Sequence, residues 1–140
     1  MPIVFSHLNY IYSPNTPLEH YALKDINLEI KDNSFTMIIG HTGSGKSTLV
    51  QQINALFVPT SGQVDVNGII VDNKAKKLKN IKELRKGVGL VFQFPEYQLF
   101  EETVLKDVSF GPKNFGIKDE EANILAKEAL ELVGIDESYY

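Results

Sequence analysis

The folding class of this chain follows from one short stretch, Gly40–Thr48, which reads GHTGSGKST. The stretch satisfies G-x-x-x-x-G-K-[ST], a pattern in which glycines bend the backbone, a lysine supplies a cation and a hydroxyl follows. The mostly apolar segment Ser34–Ile39 precedes it as a predicted strand, and helically spaced apolar residues follow from Lys46. A strand, a glycine loop and a helix, in that order, are the context that the pattern requires.

This glycine loop is a predicted polyphosphate site. Its glycines are expected to take positive φ and turn backbone amides inward, and the start of the following helix adds a positive end. Lys46 is the expected cation for the β- and γ-phosphates, Ser47 the expected oxygen ligand of Mg²⁺, and Thr48 a donor to the α-phosphate. The alternative is a glycine turn that matches by chance, on the order of a 1% event in such a chain. The predicted nucleotide contacts are Gly40, His41, Thr42, Gly43, Ser44, Gly45, Lys46, Ser47 and Thr48.

The composition excludes several other classes. The chain has 140 residues, 43% of them hydrophobic, and a net charge of −4, which gives no general attraction to nucleic acid or anionic lipid. Cysteine is absent, which excludes disulfides and thiolate metal sites, and the three histidines have no metal-ligand spacing. The first residues have no basic region and no long apolar run, so no secretory signal is expected. No apolar run approaches the roughly 20 residues that cross a bilayer.

Strand and helix patterns predict an α/β core with an attached antiparallel subdomain. Apolar runs and breakers predict strands at Ile3–Tyr12, Tyr21–Ile30, Ser34–Ile39 and Val88–Gln93, and a hairpin at 63–72 around Asn67-Gly68. Helical spacing predicts helices at 46–57, 81–86 and 118–133. The second is expected to begin at Asn80 as its N-cap and end before Gly87, and the third to bury Ala122, Leu125, Ala126, Ala129, Leu132 and Val133.

Further stretches resemble the ATP-binding cassette (ABC) ATPases across essentially all 140 residues. PTSGQVDVNG (59–68) is similar to their hairpin after the glycine loop, and VGLVFQ (88–93) to their strand ending in a functional glutamine. The resemblance implies a P-loop NTPase (RecA-like) core with an N-terminal antiparallel β subdomain. It implies that Tyr12 stacks on adenine, although packing beside Tyr10 is the alternative. It also implies that Gln93 reaches Mg²⁺ or the attacking water, although a solvent-facing strand end is the alternative.

The resemblance narrows to the ATPase subunits of energy-coupling factor (ECF) transporters, and within them to the second ATPase type. SPNTP (13–17) and FPEYQLFEETV (94–104), followed by Asp107-Val108 and Phe110-Gly111-Pro112, carry it. It implies that ATP hydrolysis energises uptake of vitamins or metal ions, with Lys46 and Gln93 as catalytic residues and Ser47 and Gln93 as Mg²⁺ ligands. It implies a head-to-tail partner ATPase, and a transmembrane coupling subunit against Phe94–Phe100. It implies that a substrate-binding membrane subunit is an indirect partner of the ATPase and that nucleic acid is not a partner. The expected location is peripheral, at the cytoplasmic face of the cell membrane.

The family's catalytic glutamate, its Leu-Ser-Gly-Gly motif and its switch histidine have no counterpart here. Ile69–Asp72 and Asp136-Glu137 only imitate the strand that carries the glutamate. We therefore expect 1–140 to be the N-terminal part of one ATPase domain, incomplete at its C-terminus, that binds nucleotide without hydrolysing it. The sheet then has an unpaired central edge, which predicts poor solubility of this piece alone. An ATPase of another transporter class, a non-transport ABC ATPase and a stand-alone binding module remain alternatives.

One charged stretch is open to two interpretations. Lys74–Lys86 contains six lysines and Arg85 against Glu83. A patch for lipid or nucleic acid is one interpretation, and a solvated hairpin-and-helix surface is the favoured one.

Overall fold

The computed structural model of the chain describes residues 2–74 and 80–140. It contains two compact units, Met1–Leu90 and Val91–Tyr140. The basic stretch Lys74–Lys86 lies partly outside the described residues, so its two interpretations stay open.

A four-stranded antiparallel sheet forms the first unit, as the sequence predicted. Its spatial order is β2-β1-β3-β4, with β1 at Ile3–Tyr12, β2 at His20–Ile30, β3 at Ser61–Val66 and β4 at Ile69–Asp72. Asn67 and Gly68 form the predicted turn between β3 and β4, both at positive φ (53° and 83°), as a tight hairpin requires. The core of this unit consists of Phe5, Leu8, Leu23, Leu49, Ala55, Val64, Val66, Val71 and Leu84.

Helix α1 begins where the sequence predicted but ends earlier. It spans Lys46–Ile53 rather than reaching residue 57. Ala55 takes a φ of 52°, which a continuing helix does not allow. The Arg85 guanidinium donates to the carbonyl oxygens of Asn54 (3.3 Å) and Ala55 (3.2 Å) just beyond the helix end. The end of α1 is therefore stabilised by a side chain 30 residues away from Ala55.

Helix α2, Ile81–Gly87, confirms the second predicted helix, at 81–86, except at its ends. Asn80 holds the N-cap position, but its φ of 60° is left-handed and its side chain makes no capping hydrogen bond. Gly87 lies in the last turn of the helix rather than beyond it. Leu84 is the residue of α2 that enters the core.

Two predicted strands are wrong in this structure. Ser34–Ile39 and Val88–Gln93 have no ladder partner among the described residues. Phe35 is 91% exposed and Val91 79% exposed, so the expected burial of these segments is absent as well. A strand exists only through hydrogen bonds to a neighbouring strand, and residues 2–74 and 80–140 offer none to these two. The parallel sheet that was expected to have an unpaired central edge is therefore not formed among the described residues.

The second unit is helical. Its main elements are α3, Val104–Asn114, and α4, Asp119–Leu132, with short 3₁₀ turns at Pro95–Gln98 and Glu137–Tyr139. Sequence reasoning missed α3, because Gly111-Pro112 is typical of a helix end. A signal was present at Thr103, whose side chain accepts a hydrogen bond from the Lys106 amide at 3.3 Å as an N-cap.

The predicted position of α4 is confirmed within one residue at each end, but its predicted buried face is partly wrong. Its buried residues are Ala122, Ala126 and Leu130, a row with a spacing of four. Leu132 and Val133 are 88% and 72% exposed. Residues four apart share one helix face, so the small alanines mark the face that packs within the unit. Leu125 and Ala129, also predicted as buried, are exposed.

Candidate functional site

The backbone of the glycine loop leaves no room for a side chain at its end. Gly45 takes a φ of 86°, and a Cβ there would lie 2.6 Å from the Ala22 carbonyl oxygen of β2. Gly43 also takes positive φ, at 81°. Gly40 does not, which corrects the expectation of positive φ at all three glycines. A Cβ at Gly40 would lie 2.6 Å from the Ser44 hydroxyl oxygen, which is the end of a rotatable side chain, so Gly40 is less constrained than Gly45.

The loop ends at an open helix N-terminus. The first helical hydrogen bond of α1 runs from the Leu49 amide to the Gly45 carbonyl at 2.8 Å. Within the described part of the chain, the amides of residues 45–48 donate to no protein acceptor. These amides carry the positive end of the helix dipole, which makes an anion site. The structure therefore has the free donors that the sequence predicted.

Lys46 lies across this loop. Its Nζ donates to the carbonyl oxygens of Gly40 and His41, both at 2.7 Å, and lies 3.4 Å from the Ser44 hydroxyl. Among the described residues the ammonium pairs with no carboxylate. A cation held by neutral carbonyls keeps its charge available for an anion. The position of Lys46 suits the phosphate contact that the pattern predicts.

The remaining polar side chains of the loop differ in their freedom. The Ser47 side chain is exposed and has no hydrogen-bond partner in the residues that the structure describes. His41 Nδ1 is bonded to the Thr42 carbonyl oxygen at 2.8 Å, which leaves its backbone as the expected contact. Thr48 is only 7% exposed, and its Oγ1 lies 3.0 Å from the Tyr12 hydroxyl. The free amides and Lys46 thus fit an anionic oxygen, and the Ser47 hydroxyl is a nearby oxygen that fits a cation.

Tyr12 lies beside the loop and packs against two other aromatic rings. Its ring meets Tyr10 edge-on at 4.9 Å and Phe57 edge-on at 5.7 Å. Packing beside Tyr10 was the alternative to base stacking, and the structure contains that packing. It also brings Tyr12 to Thr48 in α1, so adenine stacking stays a prediction at a suitable place. Burial, and then proximity to Tyr12, raises the pKa of Tyr10.

Sequence reasoning missed Phe57 as a neighbour of this site. It was counted as the end of a longer α1, whereas it lies beyond the helix and stacks on Tyr10 at 5.0 Å. No local pattern pointed to this role, because the contact joins residues 47 positions apart.

Gln93 belongs to the second unit, whereas the loop belongs to the first. It is exposed and lies in a bend, beside the exposed aromatic residues Phe94 and Tyr97, whose ring centroids are 5.9 Å apart. Its predicted roles toward Mg²⁺ and water stay predictions. Among the described residues no group of three His, Asp or Glu side chains could hold a metal ion.

The acidic residues of Ile69–Asp72 and Asp136-Glu137, the two segments that only imitate the family's catalytic strand, make local hydrogen bonds and an ion pair. Hydrogen bonds from the Ser138 side chain and then from the Ser138 amide, the latter at 3.0 Å, lower the pKa of Asp136, and Glu137 pairs with Lys127 at 2.9 Å. Asp72 accepts from the Lys74 amide at 3.0 Å at the end of β4. No helix in the described ranges has both the length and the apolar character to cross a bilayer.

Sequence comparison places this site among known proteins. The ABC transporter family model matches residues 23–139. The chain is 58% identical over 139 residues to "Energy-coupling factor transporter ATP-binding protein EcfA2" of Enterococcus faecalis, covering 99% of this chain and 48% of that protein. It is 57% identical over 137 residues to the protein of that name from Spiroplasma kunkelii, covering 98% of this chain and 45% of that protein. The chain thus spans about half the length of the curated relatives it matches.

Solved structures agree. The ATP-binding cassette MJ0796, in a dimeric post-hydrolysis state bound to ADP and Pi, superimposes with a TM-score of 0.81 at 28% identity over 98% of this chain and 59% of that one. CbiO1 of Clostridium perfringens, part of the CbiONQ transporter complex, gives 0.75 at 38% identity over 98% of this chain and 51% of that one. These similarities confirm the predicted α/β P-loop fold with its antiparallel subdomain. With the family model covering most of its length, the chain belongs to the ABC transporter family.

Proposed function

We propose that this chain is the nucleotide-binding part of an ECF transporter ATPase, whose full-length protein hydrolyses ATP to energise uptake of vitamins or metal ions. The observation that carries the proposal is the glycine loop, with free amides at residues 45–48 and the unpaired charge of Lys46 among the described residues. The names of the relatives at 57–58% identity support the transporter class.

Binding begins at the triphosphate. The amides at the start of α1 are aligned donors for phosphate oxygens, and they need no rearrangement because no protein acceptor among the described residues occupies them. Lys46 then exchanges a neutral carbonyl for a charged oxygen, which makes a shorter and stronger hydrogen bond. Gly45 keeps the loop close enough for these contacts, because a Cβ there would collide with the backbone carbonyl of Ala22.

The hydroxyl of Ser47 is the proposed protein ligand of Mg²⁺ in this unit. It is exposed in the first turn of α1, next to the lysine that contacts the phosphates. Bound Mg²⁺ would neutralise part of the negative charge of the phosphates. Gln93 is the proposed second ligand and the group that orients water, because its amide offers both a donor and an acceptor. Lys46 and Gln93 are thus the proposed catalytic residues.

The proposed partners follow from the exposed aromatic residues of the second unit. Phe94, Tyr97 and Phe100 are 54%, 83% and 63% exposed, which is unusual for large apolar side chains unless a partner covers them. We assign this surface to a transmembrane coupling subunit, through which a substrate-binding subunit is driven indirectly. A second ATPase pairs head to tail. The protein then sits at the cytoplasmic face of the cell membrane and binds no nucleic acid.

The decisive experiment measures Mg-ATP binding and hydrolysis by the purified full-length protein. Lys46→Ala should weaken Mg-ATP binding about ten- to a hundredfold, because a charge-assisted hydrogen bond is worth about 1.5–3 kcal/mol. Lys24→Ala, which removes an exposed lysine on β2, is the control and should bind normally. Equal affinity of wild type and Lys46→Ala would contradict the proposal.

Copurification tests the transporter assignment separately. The full-length protein should copurify with membrane subunits from detergent-solubilised membranes. A soluble protein that never associates with a membrane component, and whose turnover is stimulated by nucleic acid, would indicate a non-transport ABC ATPase instead.

A further inference from the structure

Tyr12 contacts one residue in the first turn of α1 and another residue beyond its C-terminal end. Its hydroxyl lies 3.0 Å from Oγ1 of Thr48 in the first turn of the helix. Its ring meets Phe57, which follows the last turn, edge-on at 5.7 Å. Tyr10 completes the arrangement, edge-on to Tyr12 at 4.9 Å and stacked on Phe57 at 5.0 Å. The two ring contacts and the hydroxyl contact together keep Tyr12 beside Thr48.

A bound anion would decide which of the two hydroxyls donates in this hydrogen bond. Either oxygen can be the donor in the structure. A hydroxyl has one proton and two lone pairs, so Thr48 can accept from Tyr12 and still donate its own proton. The free amides and Lys46 make this end of α1 attractive to anionic oxygens. When phosphate occupies the loop, both hydroxyls are expected to point their protons toward it, and each bond polarises the next.

We infer that Tyr12 is a positioning residue for the phosphate side of the site, acting through its hydroxyl on Thr48. This inference rests on the proposed function and adds to it. The predicted stacking on adenine uses the ring of Tyr12, whereas the inferred role toward the triphosphate uses its hydroxyl. The two roles separate when the ligand has no base.

The test compares Mg-ATP with Mg-tripolyphosphate, which has the phosphates but no base, on the full-length protein. Tyr12→Phe keeps the ring and removes only the hydroxyl. Its affinity for both ligands should fall about two- to tenfold, the value of one hydrogen bond. Thr48→Val removes the donor to phosphate as well as the partner of Tyr12, so its loss should be at least as large. The double variant should be no weaker than Thr48→Val, because the Tyr12 hydroxyl acts only through Thr48.

Two controls isolate the hydroxyl. Tyr10→Phe removes a hydroxyl that has no hydrogen-bond partner in the described ranges, and it should leave both affinities at the wild-type value. Tyr12→Leu removes the ring as well, so its affinity should fall further for Mg-ATP than for Mg-tripolyphosphate.

Each outcome is decisive. Loss of tripolyphosphate affinity in Tyr12→Phe, with no loss in the double variant beyond that of Thr48→Val, supports the inference. If Tyr12→Phe binds tripolyphosphate as the wild type does, or if the two single losses add, the inference fails while the proposed function stands. If the wild type binds neither ligand, the proposed function itself fails.

Discussion

At the scale of single residues, the glycine loop is specified by contacts as well as by dihedral angles. Gly45 needs both, since its φ is left-handed and the Ala22 carbonyl lies where a Cβ would be. At Gly40 the φ is not left-handed, and the nearest atom to a Cβ would be the rotatable Ser44 hydroxyl. The sequence pattern marks both positions with the same letter, although their physical reasons differ. Thr48 also has a contact that the pattern does not show. The pattern predicted that it contacts phosphate, and in the structure its side chain is hydrogen-bonded to Tyr12.

Asp25 should make the stability of the β1–β2 pair depend on pH. Its carboxylate accepts from His7 Nδ1 at 2.8 Å and from Asn27 at 3.1 Å, and these bonds lower its pKa below the ordinary 3.8. A lowered folded-state pKa means that the folded protein releases this proton more readily. The stabilisation is therefore full above the unfolded pKa and is lost as pH falls through the folded pKa.

Urea unfolding of the full-length protein at neutral pH and in the acid range near the Asp25 pKa measures this contribution. Asp25→Asn cannot titrate and should lose less stability on acidification than the wild type. His7→Gln removes the largest cause of the shift and should give an intermediate result. Identical acid sensitivity in wild type and Asp25→Asn would show that the pair contributes nothing.

At the scale of elements, Arg85 of α2 stabilises the end of α1 through two hydrogen bonds. Arg85→Ala removes the bonds to the Asn54 and Ala55 carbonyls. Opening of the turn at 51–57 should then become easier, and its amides should exchange hydrogen about two- to tenfold faster, as expected for the loss of about one hydrogen bond. Exchange followed by mass spectrometry on the full-length protein localises the effect.

Lys86→Ala is the matched control for Arg85. It removes a neighbouring cation from the same helix. In the part of the chain that the structure describes, Lys86 makes no hydrogen bond to the end of α1. Its exchange at 51–57 should equal that of the wild type. Unchanged exchange in Arg85→Ala would mean that the positive φ of Ala55 ends the helix without help.

At the scale of the whole molecule, the exposed apolar segments should make the 140-residue chain self-associate. Phe35 and Ile39 are 91% and 85% exposed on an extended segment without a ladder partner among the described residues. Such a segment is a template for pairing with another chain. Sedimentation velocity should show concentration-dependent association of the wild-type chain, and Phe35→Ser with Ile39→Ser should reduce it.

Leu18→Ser distinguishes association by strand pairing from nonspecific hydrophobic association. Leu18 is 80% exposed but lies in a turn, where no strand can be added. Its replacement should leave the association unchanged. An equal reduction by Leu18→Ser would mean that exposed apolar area alone, rather than an unpaired strand, drives the association.

The amino-acid sequence alone determined the features whose causes are local. The spacing of glycines and Lys46 predicted the loop, Asn67-Gly68 predicted the hairpin turn, and the breakers at 13–17 ended β1 at its observed residue. Each depends on the conformational preferences of a few neighbouring residues, so a short window contains the cause.

Only the tertiary structure decided the features whose causes lie far away in the chain. Ser34–Ile39 had the composition of a strand, but a strand also needs a hydrogen-bonded neighbour. The buried face of α4 depended on packing, which favoured Ala122 and Ala126 over Leu125. The bond from Tyr12 to Thr48 joins residues 36 positions apart. Contacts of this kind arise when elements pack, and residue spacing within one element carries no information about them.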